Sequence, residues 1–208
     1  MNISFVLNAT GQAPEALSWC QRALEICERL ARDHPSVHSY QSNLGIALNN
    51  IAEFDMAQGR WTQARQRLEQ AITAQRAALD AMPGHPVYPR ALRAHLVLLV
   101  KVHIALNQPT EAIQTAQTLK SLTQNNPVDL YNAAAALALC VRLTNGEQHQ
   151  TLAFQAVQTL EQAIAAGWND VAKITLDPDL AALQDRDDFR RLLARLLDRG
   201  FPPNPLAP

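Results

Sequence analysis

The sequence predicts an all-α fold in which pairs of helices stack into a repeating array. A pattern of Ala, an apolar residue four positions on, and a small or apolar residue three positions later begins at Ala16, Ala64, Ala112 and Ala156, at intervals of 48, 48 and 44 residues. Between these segments apolar residues recur three or four positions apart, which is helical spacing. Runs of β-branched residues are almost absent. Repetition at such a period is typical of helical solenoids.

Turn residues separate the predicted helices. Gly59 and Asn107 stand before two of the patterned helices, and Gly or Asn commonly follows a helix end. X-Pro steps at Pro86 and Pro127 follow two of them, and the residue before a proline disfavours helical geometry. From these marks we predict helices over 14–33, 36–57, 61–81, 88–106, 110–124, 128–144 and 148–166.

The two ends of the chain differ from the repeats. The segment Ile3 to Ala9 reads as the tail of a first helix, so the chain is expected to start inside a repeat as part of a longer array. Near the other end, Asp177 is expected to cap a short helix that begins at Pro178, and Asp185 with Asp188 resembles a capping box. We predict short helices over 170–175, 178–184 and 186–198. The predicted organisation is a solenoid over 1–168, a helical C-terminal cap over 169–200 and a Pro-rich tail over 201–208.

Composition excludes several classes of function. The 208 residues are 48% hydrophobic and 18% charged, as in a globular protein. The net charge is −1, but 60–101 holds seven basic and two acidic residues (+5), and 161–188 holds seven acidic and two basic residues (−5). A pI of about 6.6 and few aromatic residues argue against nucleic-acid binding. No run approaches the roughly 20 apolar residues of a membrane span, and no basic leader is present, so we expect a cytoplasmic location.

No catalytic, cofactor or metal site is predicted. Counted from Asp177, the acidic cluster has Ala182 and Asp188 where a calcium loop needs Gly and Glu. The histidines form no H-E-x-x-H pair, and the sequence has no G-x-S-x-G, phosphate loop or kinase string. We therefore expect a protein that is not an enzyme. The tryptophans Trp19, Trp61 and Trp168 are expected to fill gaps between packed helices.

Several of these residues resemble a known family. Leu48, Ile51 and Ala52, followed by Ala64, Leu68, Ala71 and then Pro83, resemble the signature of the tetratricopeptide repeat. The strings 22–35, 131–134 and 177–180 are similar to the solenoids that follow the catalytic domain in planctomycete-type bacterial serine/threonine kinases. The resemblance implies a right-handed solenoid of bacterial origin that binds other proteins, with any kinase activity in a domain outside this chain.

The resemblance also implies where a partner would bind. In this fold the first helix of each pair lines the concave face, and positions between the core residues should be exposed, because burying Arg, Lys or Asn without partners is costly. Ala94 and Ala136 fall among these positions. Asn49, Arg90, Arg93 and Lys101 are expected to read the amides and acidic groups of a peptide. The predicted partner-binding residues are Asn49, Glu53, Met56, Arg90, Arg93, Val97, Lys101, Ile104 and Asn132.

Three functions follow from the sequence, in order of preference. The first is a scaffold that holds a protein or peptide in the concave groove, linked to a bacterial serine/threonine kinase system. The second is a structural array that self-associates through its open N-terminal edge. The third is an enzyme that uses the groove, which is disfavoured because no paired acid and base or nucleophile was found.

Overall fold

The computed structural model describes residues 13–200, with side chains described over 15–197. Within that range the chain is helical and contains no strand, so the all-α prediction is confirmed. The predicted N-terminal half repeat at Ile3 to Ala9 and the Pro-rich tail lie outside the described residues. The helices are α1 (Ala13–Asp33), α2 (His38–Ala57), α3 (Trp61–Ala81), α4 (Val87–Ala105), α5 (Pro109–Ser121), α6 (Pro127–Val141), α7 (Gly146–Ala165), α8 (Val171–Leu176), a 3-10 helix (Pro178–Leu183) and α9 (Asp187–Gly200).

The same turn geometry ends α2 and α4. Gly59 has a φ of 71° and Asn107 a φ of 54°, so both lie in the left-handed region that Gly and Asn tolerate best. In each turn the next backbone N–H donates to a carbonyl five residues back: Arg60 to Asp55 at 2.8 Å and Gln108 to His103 at 2.9 Å. These bonds satisfy carbonyl groups that the helix end would otherwise leave unpaired. The two turns, 48 positions apart, give local structural support to the predicted repeat.

The chain divides into two compact units, the first ending at Gln108 and the second beginning at Pro109. In the first unit each helix from α1 to α4 packs on the next along the chain, and α2 also packs on α4. Ala52, Ala64 and Ala71 are each 0% exposed, which lets α2 and α3 approach closely. The predicted solenoid boundary at 168 stays a prediction.

In the second unit α6 is the central helix, in contact with α5, α7 and the 3-10 helix. Its residues 133–138 are buried on every side. The ring of Tyr131 stacks on Trp168 at 4.2 Å between centroids, and Lys173 lies 5.1 Å from the centre of the Tyr131 ring. The Tyr131 hydroxyl donates to Asp177 at 2.6 Å; burial and this neighbouring carboxylate raise the pKa of Tyr131. Tyr131 therefore ties α6 to the start of the 3-10 helix.

Two expectations about the C-terminal helices have different outcomes. Asp177 does cap the 3-10 helix, because its Oδ1 accepts from the backbone N–H of Asp179 at 2.9 Å. The capping box is wrong: the Asp188 carboxylate is held by the guanidinium of Arg186 at 2.7 and 3.0 Å. Hydrogen bonds from Arg186 hold the pKa of Asp188 below its ordinary value. In a capping box this carboxylate would instead accept a hydrogen bond from the backbone N–H of the N-cap residue.

The predicted ends of α5 and α6 extend three residues too far. We predicted ends at 124 and 144, whereas α5 ends at Ser121 and α6 at Val141. The Thr123 hydroxyl donates to the Lys120 carbonyl at 2.7 Å, and the Thr144 hydroxyl donates to the Val141 carbonyl at 2.9 Å. Such side-chain bonds compete with continuation of the helix.

The helices after α7 should be required for the stability of the second unit. Deleting 170–208 removes the 3-10 helix and α9, which pack on α7. The deletion should therefore expose part of the apolar surface of α7, on which Leu160 is 0% and Val157 6% exposed. We expect the truncated protein to form larger assemblies than the full chain and to melt at a lower temperature, because the exposed face is apolar. Size-exclusion chromatography with light scattering and thermal melting measure both effects. Deletion of 201–208 alone is the control; a 170–208 deletion with the same assembly state and the same stability as this control contradicts the cap assignment.

Candidate partner-binding surface

Two neighbouring helices of the first unit carry matched rows of residues. Both rows follow a spacing of three, four and three positions, and each residue of the second row lies 48 positions after its counterpart in the first. Because α2 packs on α4, the rows belong to adjacent helices. The α2 row is Ile46, Asn49, Glu53 and Met56, and the α4 row is Ala94, Val97, Lys101 and Ile104.

Seven of these eight residues reach solvent. Ile46 is 37% exposed, Ala94 is exposed, and the other five are partly exposed. We call these seven residues, without Asn49, the α2–α4 strip. Ile46 was absent from the predicted set, although the 48-residue offset from Ala94 could have identified it. The strip is mainly apolar and has one acid, Glu53, and one base, Lys101.

The remaining predicted residues fall outside the strip. Arg90 is exposed and Arg93 is partly exposed, both in the first half of α4. Asn132 is partly exposed on α6, in the second unit, so its role as a partner-binding residue stays a prediction. The expectation that Ala136 is exposed is wrong: it is 3% exposed, because α6 is packed on several sides.

The expectation that Asn49 is exposed is also wrong. Asn49 is 8% exposed, and both ends of its amide bond to protein groups. Its Nδ2 donates to the Glu53 carboxylate at 3.1 Å, and its Oδ1 lies 2.8 Å from Nδ1 of His95. A buried amide needs such partners. Since the Asn49 oxygen can only accept, Nδ1 of His95 carries the hydrogen. Asn49 therefore joins α2 to α4 beneath the strip.

His95 belongs to a buried polar cluster that the sequence did not reveal. The cluster contains Ser42, Asn49, Gln75 and His95, from α2, α3 and α4. The Ser42 hydroxyl donates to Gln75 at 3.1 Å. His95 is 1% exposed, and burial lowers the pKa of His95 to about 4, because an imidazolium would lose its hydration. The ring is therefore neutral at physiological pH.

Gly45 allows the three helices to meet at this cluster. A Cβ on Gly45 would lie 3.0 Å from the carbonyl oxygen of Ala71 and 3.4 Å from Nε2 of His95. Any larger residue would therefore press on the backbone of α3. The glycine is required here for close approach of backbone to backbone.

Internal ion pairs use part of the positive charge that the sequence placed near the strip. Asp55 is 1% exposed and bonds both Arg60, at 2.7 Å, and Arg67. Glu69 lies 3.7 Å from Arg65. The two bonds of Asp55 hold the turn between α2 and α3, whereas the Arg65–Glu69 pair lies within α3. The +5 balance of 60–101 therefore overstates the charge open to a partner.

Comparison with known proteins finds a similarity for part of the first unit. The tetratricopeptide repeat family model matches residues 1–36 and 43–87. Within the described residues these matches contain α1 and α3 and most of α2. The matched segments are therefore similar to tetratricopeptide repeats, which are generally modules for protein–protein interaction. No curated protein matches the chain. The resemblance to planctomycete-type kinase solenoids stays a prediction.

Two further features concern residues 13–200 alone. No helix in that range has the length and apolar content needed to cross a membrane. That part of the chain also brings together no group of three His, Cys, Asp or Glu side chains able to hold a metal ion.

Burial of His95 should make the first unit sensitive to acid. The unfolded chain takes up a proton at the ordinary histidine pKa of 6.5, whereas folded His95 does so only near 4. Above the unfolded value the contribution to stability is complete, and it is lost as the pH falls toward 4, because the unfolded chain then binds more protons. A shift of this size corresponds to about 3 kcal/mol.

Urea unfolding at several pH values between about 7 and 4 measures this loss. We expect His95→Gln to remove that part of the pH dependence and His34→Gln, at an exposed histidine, to leave it in place. The assignment is contradicted if His95→Gln and the wild type lose stability in parallel over this range.

Proposed function

We propose that the chain is an interaction module that holds a peptide or protein partner along the α2–α4 strip. The observation that carries the proposal is the pair of matched rows on adjacent helices, 48 positions apart. Repetition of one spacing on two neighbouring helices provides a continuous surface longer than a single helix could offer. The tetratricopeptide match supports a role in protein binding.

The residues of the strip indicate the chemistry of the partner. Ile46, Met56, Val97 and Ile104 provide apolar contact, which favours an extended or helical segment with apolar side chains. Arg90, Arg93 and Lys101 add positive charge along α4. We therefore assign the partner acidic residues beside its apolar ones. The Glu53 carboxylate, held by Asn49 at 3.1 Å, limits how far acidic groups can extend toward α2.

We further propose that this module serves a bacterial serine/threonine kinase system. The support is the similarity of the strings 22–35, 131–134 and 177–180 to solenoids of planctomycete-type kinases. The gene should then adjoin or share a reading frame with a kinase domain. Sequencing of the flanking DNA tests this part alone, and a neighbourhood without a kinase gene contradicts it.

Charge reversal on α4 should abolish partner binding without unfolding the chain. Arg93 and Lys101 are partly exposed, and exposed ion pairs contribute less than about 1 kcal/mol each. The variant with Arg93→Glu and Lys101→Glu should therefore keep its melting temperature. Its affinity for an acidic partner should fall at least about tenfold, and binding to the wild type should weaken as salt is added, because salt screens charges.

The partner is first isolated from extract of the source cells with the wild-type chain, and its affinity for each purified variant is then measured by calorimetry. Arg76→Glu, at an exposed position on α3, is the matched control and should bind as the wild type does. Equal affinity of the Arg93→Glu, Lys101→Glu variant and the control contradicts the strip assignment. If that variant unfolds, the two residues are structural.

A further inference from the structure

Helix α1 has a second apolar face that no described element covers. Trp19 is 60% exposed and Ile26 is 49% exposed, with exposed Ala23 between them and partly exposed Leu30 one turn later. Their spacing of four, three and four positions places them in one stripe along the helix. The expectation that Trp19 fills a gap between helices is therefore wrong. We call these four residues the α1 stripe.

The α1 stripe is distinct from the face that packs inside the unit. Ala16 and Ala31 are 2% and 5% exposed, and α1 packs on α2. Helix α1 is thus apolar on two sides, and folding of the first unit uses one of them. An exposed Trp next to an exposed Ile on one stripe is typical of an interaction surface, whereas single exposed apolar residues are ordinary.

The charges beside the stripe are arranged so that two copies of α1 complement each other. Trp19 and Ile26 lie at similar distances on either side of Arg22 and Ala23. Glu15 and Arg29 also lie on either side of this centre, at a greater distance along the helix. An antiparallel copy centred there brings Trp19 next to Ile26 of the second copy, with the small Ala23 near the axis. The same register brings Glu15 of each copy next to Arg29 of the other, so the two-fold symmetry produces two such pairs.

A parallel copy is disfavoured by the same residues. It would set Glu15 beside Glu15 and Arg29 beside Arg29, where like charges repel. The antiparallel arrangement also places opposite ends of the helix dipoles side by side. Arg22, which falls near the axis, has its guanidinium 5.3 Å from the ring centre of its own Trp19. Its charge is thus directed along its own helix.

From this complementarity we infer that the α1 stripe binds a second copy of this chain, helix α1 against helix α1 in antiparallel orientation, to form a two-fold symmetric dimer. The apolar contacts of Trp19, Ala23 and Ile26 supply the attraction, and the two pairs of Glu15 with Arg29 set the direction and register. This surface is separate from the α2–α4 strip, so the chain can dimerise and hold a partner with different residues.

Sedimentation velocity of the full 208-residue chain over a range of concentrations tests the apolar part. The wild type should show a dimer whose fraction rises with concentration. Ile26→Glu should give a monomer, and Phe154→Glu, at a residue 51% exposed on α7, should dimerise as the wild type does. A wild type that is monomeric throughout overturns the proposal and leaves the stripe to another segment or partner. A dimer that survives Ile26→Glu overturns it too.

Charge reversal tests the register with residues too exposed to affect folding. Glu15→Arg alone and Arg29→Glu alone should each weaken the dimer roughly tenfold, because each change breaks two symmetric pairs. The protein that carries both changes should recover an affinity close to that of the wild type, since the pairs are restored with their charges exchanged. If both single changes weaken the dimer and the combination weakens it further, the antiparallel register is wrong.

Discussion

The hydrogen bond between His95 and Asn49 is the contact on which the arrangement of the first unit depends. It joins α4 to α2 at 2.8 Å across 46 residues of sequence, inside the packed core. A polar bond in such surroundings has few alternative partners, so it specifies one relative position of the two helices. That position sets the two rows of the α2–α4 strip beside each other. The surface proposed to bind a partner thus depends on a bond that the partner would not touch.

This bond has an energetic cost that the surrounding residues accommodate. The His95 ring is kept neutral by burial, and its Nδ1 hydrogen is used by Asn49. Asn49 in turn donates to Glu53, which connects the buried cluster to a carboxylate of the strip. Gly45 removes the side chain that would otherwise separate α2 from α3 at this point. Asp55 is likewise a buried polar group with partners. Its carboxylate accepts hydrogen bonds from two arginines of the segment 60–101, which is the most basic in the sequence.

The sequence predicted the helices well and the surface less well, for a physical reason. Helix ends are set by local features, such as the left-handed turn at Gly59 or the proline after Asn126, and these are visible in one segment. Exposure is set by what packs on a helix from elsewhere. Spacing placed Asn49 on the face of its strip neighbours, but only the three-dimensional structure shows His95 reaching it from α4. The prediction for Trp19 was wrong in the opposite sense: we expected a buried residue, but no described helix covers it.

The second unit shows the same dependence on distant partners. Tyr131 was recognised as part of a repeat string, yet its role comes from Trp168, Lys173 and Asp177, which lie 37 to 46 positions later. The stacked rings and the buried hydroxyl bond attach the C-terminal helices to α6. In both units, a polar side chain with one long-range partner fixes how neighbouring helices are aligned. Apolar packing supplies the bulk of the attraction but specifies alignment less tightly.

A double-mutant cycle on Asn49 and His95 tests the central claim most directly. Asn49→Leu, His95→Leu and the protein with both changes are compared with the wild type by urea unfolding near neutral pH. Each single change leaves a buried polar group without its partner, whereas the double change removes both. The two residues should therefore be coupled. The loss of unfolding free energy in the double variant should be smaller than the sum of the two single losses by at least about 1 kcal/mol. Additive losses would show that the bond does not hold α2 and α4 in register.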